Sequence, residues 1–146
     1  MSIPASAADL PPGGATLDEV TAILRDLGYA FAPATDSSGT HILKGRVGTT
    51  NADVYLYSCR SQGGDSRCTE MQFAAGFVLK TVTLSTINSW NQTKRYGRAY
   101  LSNAGDPFME MDIDISTGAT RAQMGAYTKH LESLLTQFRT AIGYPG

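Results

Sequence analysis

The sequence predicts an α+β fold: an antiparallel sheet packed with helices, in the order αββββαββα. Three observations predict it. Apolar residues recur at three- and four-residue steps in three stretches, two near the ends and one in the middle. The segments between them are β-rich runs separated by clusters of turn residues. Those clusters are hairpin-sized, and too short to hold the crossover helices of a doubly wound fold.

Residues 1–14 hold Ala, Pro and Gly without periodicity, so a flexible N-terminal arm is expected there. A single domain is expected over 15–146. The first helix starts at a capping box, Thr16 with Glu19. Leu17, Val20, Ile23, Leu24 and Leu27 give it one apolar face, and Gly28 stands where a left-handed cap is wanted. Strands are expected at 29–33, 40–47, 53–59 and 69–77. Their separators are Asp36-Ser37-Ser38-Gly39, Gly48-Thr49-Thr50-Asn51 and Ser61-Gln62-Gly63-Gly64-Asp65-Ser66. A short helix over 83–95 carries Leu84, Ile87 and Trp90 on one side. Strands 96–102 and 107–115 then form a hairpin across Asn103-Ala104-Gly105-Asp106. In the second of these, Met109, Met111, Ile113 and Ile115 alternate with Glu110, Asp112 and Asp114, which predicts one wet sheet face. The last helix, over 118–142, places Met124, Tyr127, Leu131, Leu134 or Leu135, Phe138 and Ile142 on a core-facing stripe.

Composition narrows the function. The chain has 146 residues, 12 Lys+Arg, 13 Asp+Glu and 42% hydrophobic residues. A net charge of -1 argues against a nucleic-acid partner or a polybasic membrane anchor. No apolar run approaches the roughly 18 residues needed to cross a bilayer, so no membrane insertion is expected.

Cys59 and Cys68 flank a polar loop of eight residues. If they face each other across a hairpin, paired positions sum to 127. Val54 then meets Phe73, Leu56 meets Met71, Tyr55 meets Gln72 and Tyr57 meets Glu70. A slip of one residue would set Leu56 against Glu70 and scramble the faces. The hydrophobic pattern thus supports the register that a Cys59–Cys68 disulfide needs, and with it an oxidising compartment. The alternative is a pair of reduced cysteines in a cytoplasmic protein. The stretch Ala5-Ser6-Ala7-Ala8 resembles the small-residue end of a secretory signal, but no apolar segment precedes it.

Motifs for chemistry are missing. No phosphate-binding glycine loop, nucleophile elbow or His-Glu-x-x-His occurs. Two cysteines with His41 and His130 far away in sequence lack metal-ligand spacing, so no metal or other cofactor is expected. Glu110, Asp112 and Asp114 form a row of acids that could serve as a carboxylate pair. Cross-strand pairing with Arg98, and with Arg95, is the plainer expectation. Tyr55, Tyr57, Tyr96 and Tyr100 could form a ligand- or partner-binding patch, or simply pack.

Several ordered segments resemble the YbjN family of bacterial sensory transduction regulators. They are Tyr55-Leu56-Tyr57-Ser58-Cys59, the run from Cys68 to Phe77, Ile87-Asn88-Ser89-Trp90-Asn91, the run Lys94-Arg95-Tyr96-Gly97-Arg98-Ala99-Tyr100-Leu101, Gly105-Asp106-Pro107 and Met109-Glu110-Met111-Asp112. The resemblance implies a bent antiparallel sheet with helices, similar to type III secretion chaperones, and usually a homodimer. It implies no enzyme activity. Among the motif residues, Asn88, Trp90, Asn91, Arg95, Arg98, Asp106 and Pro107 read mainly as structural: the asparagines can bond neighbouring backbone, Trp90 buries a large apolar surface, and Pro107 fixes a hairpin entrance. The cysteine hairpin and Ala-rich start are similar to exported members, which implies a periplasmic or secreted protein; a cytoplasmic one is the alternative.

The expected function is a non-catalytic protein-interaction or regulatory domain with a protein partner. The second reading is a small-ligand sensor with Trp90 and the tyrosines lining a pocket. The third is an enzyme using the acids of strand 107–115.

Overall fold

The computed structural model describes residues 7–34 and 41–145. The turn expected at Asp36–Gly39 and the first six residues of the arm lie outside them. Among the described residues, nine elements follow the expected order: α1 (Leu17–Asp26), β1 (Ala32–Ala34), β2 (Ile42–Val47), β3 (Thr50–Gln62), β4 (Asp65–Gly76), α2 (Leu84–Thr93), β5 (Arg98–Leu101), β6 (Pro107–Asp114) and α3 (Arg121–Ile142). The strands form one sheet in the order β1-β2-β3-β4-β6-β5. Every pairing is antiparallel.

Register follows the hydrophobic pattern. Val54 pairs with Phe73 and Phe73 with Met111; Leu56 pairs with Met71 and Met71 with Ile113. All six are buried, so three adjacent strands present one continuous apolar face. Helix α1 packs on that side against β1, β2 and α3. Its Val20, Ile23 and Leu24 are fully buried, each contributing about 1.5–3 kcal/mol of transfer free energy. Helix α3 closes the layer with Met124, Leu131, Leu135 and Phe138.

Local chemistry sets the boundaries. Both halves of the Thr16–Glu19 capping box form, and a second box, Thr120 with Gln123, starts α3 at Arg121 rather than Gly118. Strand β1 begins at Ala32, later than expected, because the chain leaving α1 first inserts the Phe31 ring into the core. Gly45 makes room for it: a Cβ there would lie 2.6 Å from the Phe31 ring and 2.5 Å from the Ala30 carbonyl oxygen. The expected loop between the cysteines is mostly strand. Ladder pairing continues to Gln62–Asp65, and Gly63 and Gly64, at φ 61° and 88°, make the two-residue turn.

The N-terminal segment over residues 7–14 is laid against the domain. Leu10 is buried, and its backbone exchanges hydrogen bonds of 2.8 and 3.0 Å with Ala119. Ala15 in turn exchanges bonds of 2.9 Å with Cys68. A lone leucine among prolines and glycines has no periodicity by which sequence could reveal such docking.

Candidate functional site

Alternation on β3, β4 and β6 sends every second side chain to the sheet face opposite the helices. Cross-strand pairing sets these residues in rows: Tyr55–Gln72–Asp112, Tyr57–Glu70–Asp114, and Asp53–Ala74–Glu110–Arg98. A further row is Gly76–Phe108–Tyr100. Two stacked aromatic pairs stand on this face. The Tyr55 and Tyr57 rings lie 6.2 Å apart and the Tyr100 and Phe108 rings 5.5 Å apart. Tyr57 and Tyr100 remain 41% and 39% exposed.

Between the aromatic pairs lies an ion network. Arg98 pairs with Asp112 and, at 3.6 Å, with Glu110. Gln72 donates to Asp112 at 2.8 Å. Glu110 is only 9% exposed, although strand alternation predicted a wet position. Arg98 and Tyr100 of β5 stand beside it and cover it. Arg95 enters no ion pair among the described residues. The tyrosines carry the electrostatic signature of this setting. Burial pushes all three phenols up, and neighbouring acids add to it: Asp53 at Tyr55, and Glu110 at Tyr57 and Tyr100. Tyr100, which also hydrogen-bonds Glu110, reaches about 12. Asp114 moves the other way, held below the usual carboxylate range by Ser116.

A groove of about 800 Å³ runs over Tyr57, Glu70, Gln72, Asp112 and Asp114. A second, of about 380 Å³, lies over Asn91, Tyr96, Arg98 and Glu110. The acid row therefore does not stand alone at the base of a cleft; Arg98 partly neutralises it.

The remaining motif residues fall elsewhere. Tyr96 leaves the tyrosine patch, because it stacks on His130 of α3 at 4.7 Å with a backbone φ of 72°. Trp90 is 3% exposed and faces the helices: its ring meets Phe138 at 5.0 Å and its Nε1–H donates to Gly97. It therefore shares no pocket with Tyr55, Tyr57 and Tyr100. Asn91 spans to the edge strand. Its Nδ2 donates to the Ala99 carbonyl at 3.0 Å and its Oδ1 accepts from the Ala99 N–H at 2.9 Å, so one amide side chain substitutes for a neighbouring strand. Asn88 is exposed. Asp106 accepts from the Leu79 N–H at 3.0 Å and from Lys80 Nζ at 2.8 Å, and the Lys80 hydrogen bond leads in holding its carboxyl below the usual range. Pro107 opens β6, with its carbonyl accepting from the Phe77 N–H.

Cys59 and Cys68 pair in register and are joined by a disulfide with an S–S distance of 2.04 Å. Sequence distance set His41 apart from them, but the hairpin of β2 and β3 brings it back. The His41 carbonyl accepts from Leu56, and its ring, Cys59 Sγ and Cys68 Sγ all lie within 4.8 Å of one another. No helix among the described residues is long and apolar enough to cross a membrane.

Comparison with known proteins agrees with this architecture. No curated protein matches the sequence. Among solved structures, the crystal structure of YbjN, described as a putative transcription regulator from E. coli, has a similar fold. Its TM-score is 0.55 at 14% identity, covering 85% of this chain and 93% of that one. A family model described as "YbjN: Putative bacterial sensory transduction regulator" matches residues 16–143. With its fold and most of its length so matched, the chain belongs to the YbjN family.

Proposed function

We propose that this protein is a non-catalytic regulatory domain that holds a protein partner on the helix-free face of its sheet. The observation that carries the reading is the arrangement of that face. Two stacked aromatic pairs bracket a charged strip on a rigid four-strand platform, and Tyr57 and Tyr100 stay exposed although the chain has a full core elsewhere. Aromatic groups with polar tips suit a partner surface, because they supply contact area at small entropy cost.

The disulfide supports export to the periplasm or beyond, where such bonds persist. A homodimer fits the same face, since one strip carries both Arg98 and acids. Nucleic acid is a poor fit. The net charge is -1, and Glu70, Glu110, Asp112 and Asp114 outnumber Arg98 along the strip. The ligand-sensor reading loses its shared Trp90–tyrosine pocket, because Trp90 faces the helices. The enzyme reading needs a carboxyl raised above its usual range, and Asp114 is lowered.

The test is capture from envelope extract of the host by the oxidised protein and by a Tyr57→Ala/Tyr100→Ala variant, with sedimentation velocity on both. A protein retained by the wild type and lost by the variant, or a dimer that the variant dissociates, is expected. Equal behaviour of the two proteins would remove the role assigned to the tyrosines.

A further inference from the structure

We propose that reduction of the Cys59–Cys68 disulfide opens a metal site, in which the two thiolates and the His41 imidazole bind one zinc ion. The inference rests on the hairpin tip and is independent of the partner-binding reading. The three ligand atoms already lie within 4.8 Å of one another. In a tetrahedral zinc site, with Zn–S near 2.3 Å and Zn–N near 2.0–2.1 Å, two ligand atoms stand about 3.5–3.8 Å apart. Side-chain adjustments of about 1 Å therefore suffice once the sulfur–sulfur bond is gone.

The fold fixes all three positions. Pairing of β3 with β4 sets Cys59 opposite Cys68, and the hydrogen bond from Leu56 to the His41 carbonyl sets the histidine beside β3. Ser58, at φ 55°, interrupts the extended backbone just before Cys59, whose Sγ lies 3.7 Å from the Leu56 carbonyl oxygen. Cys68 is fully buried while Cys59 is exposed. An external dithiol thus approaches the disulfide from the side of Cys59, the exposed partner, and not from that of Cys68.

Attack by the dithiol on Cys59 breaks the sulfur–sulfur bond and releases Cys68 as thiol. The second thiol of the reductant then displaces Cys59, and the reductant leaves as its own disulfide, having supplied two electrons and two protons. Zinc binding releases both protons to solvent, since the thiolate is the ligand. Two soft thiolates with one imidazole suit zinc, and the exposed Cys59 side leaves the fourth position to water. The ion would tie β2, β3 and β4 at the point where the covalent staple has been lost.

The experiment uses the full chain, reduced with a phosphine that is removed under argon, and titrated with cobalt(II) as the spectroscopic probe. The expected result is one cobalt per reduced chain, with thiolate charge-transfer absorption and the strong visible bands of a tetrahedral site, displaced by zinc. The oxidised chain should show neither. His41→Ala and His41→Gln, which leave both cysteines in place, should each weaken binding by more than about tenfold, the loss that even an outer-shell partner costs. Absence of uptake by the reduced chain, folded or not, overturns the proposal. So does uptake that both His41 variants leave unchanged.

Discussion

Asn91 closes a sheet edge with a single side chain. Both hydrogen bonds to Ala99 disappear in Asn91→Ala, which leaves the Ala99 N–H and carbonyl on the open side of the edge strand β5 without that partner. A loss of about 1–2 kcal/mol in urea unfolding is expected, two partly screened bonds at their net worth. Asn91→Asp separates geometry from chemistry. Its carboxylate can accept from the Ala99 N–H but turns a second acceptor toward the Ala99 carbonyl. Its deficit should therefore match or exceed that of alanine at neutral pH and shrink as the carboxyl protonates in acid. A deficit independent of pH would contradict the two-bond geometry. The tyrosines make a second test at this scale. Tyr100 titrates near 12 when folded, above the ordinary tyrosine value of about 10. Its folded form holds the proton more tightly, so the stabilising contribution is complete below about pH 10 and is lost as pH rises toward 12. An alkaline absorbance titration should show Tyr55, Tyr57 and Tyr100 ionising late, with Tyr100→Phe removing the last step.

The β3–β4 hairpin is the element on which the architecture turns, and its register was legible in sequence. Only one alignment puts Val54 on Phe73 and Leu56 on Met71, and the same alignment joins the cysteines. The staple shortens the accessible unfolded chain, an effect of roughly 2.5–3 kcal/mol for a loop of this length. Equilibrium unfolding with and without reductant, both with a metal chelator present, should differ by about that amount; no difference would mean that the tip is strained or already unfolded. Less was legible where long-range packing decides. Glu110 read as wet because alternation sees only its own strand, while Arg98 and Tyr100 reach it from β5. His41 read as distant because ligand spacing was judged along the chain, although the hairpin-sized Gly48-Thr49-Thr50-Asn51 separator sets β2 beside the cysteine-bearing strand. Asn88 and Asn91 read alike as backbone partners, yet only Asn91 sits over the edge.

The whole molecule divides the two faces of its sheet between packing and display. Helices α1 and α3 cover one side of the sheet; the other keeps aromatic rings and ion pairs in the open. That division was predicted by the alternation of 109–115, and the family resemblance carried the remainder: the sequence offers no catalytic motif from which a function could be built upward. Site-specific photocrosslinking in living cells reports which face of the sheet other molecules touch. A benzophenone amino acid placed at Tyr57 or Tyr100 should yield a discrete adduct with another protein or a second copy of the chain, and one placed at exposed Lys129 on α3 should yield none. Adducts that form at Lys129 and not at Tyr57 or Tyr100 would place recognition on the helices and contradict the account.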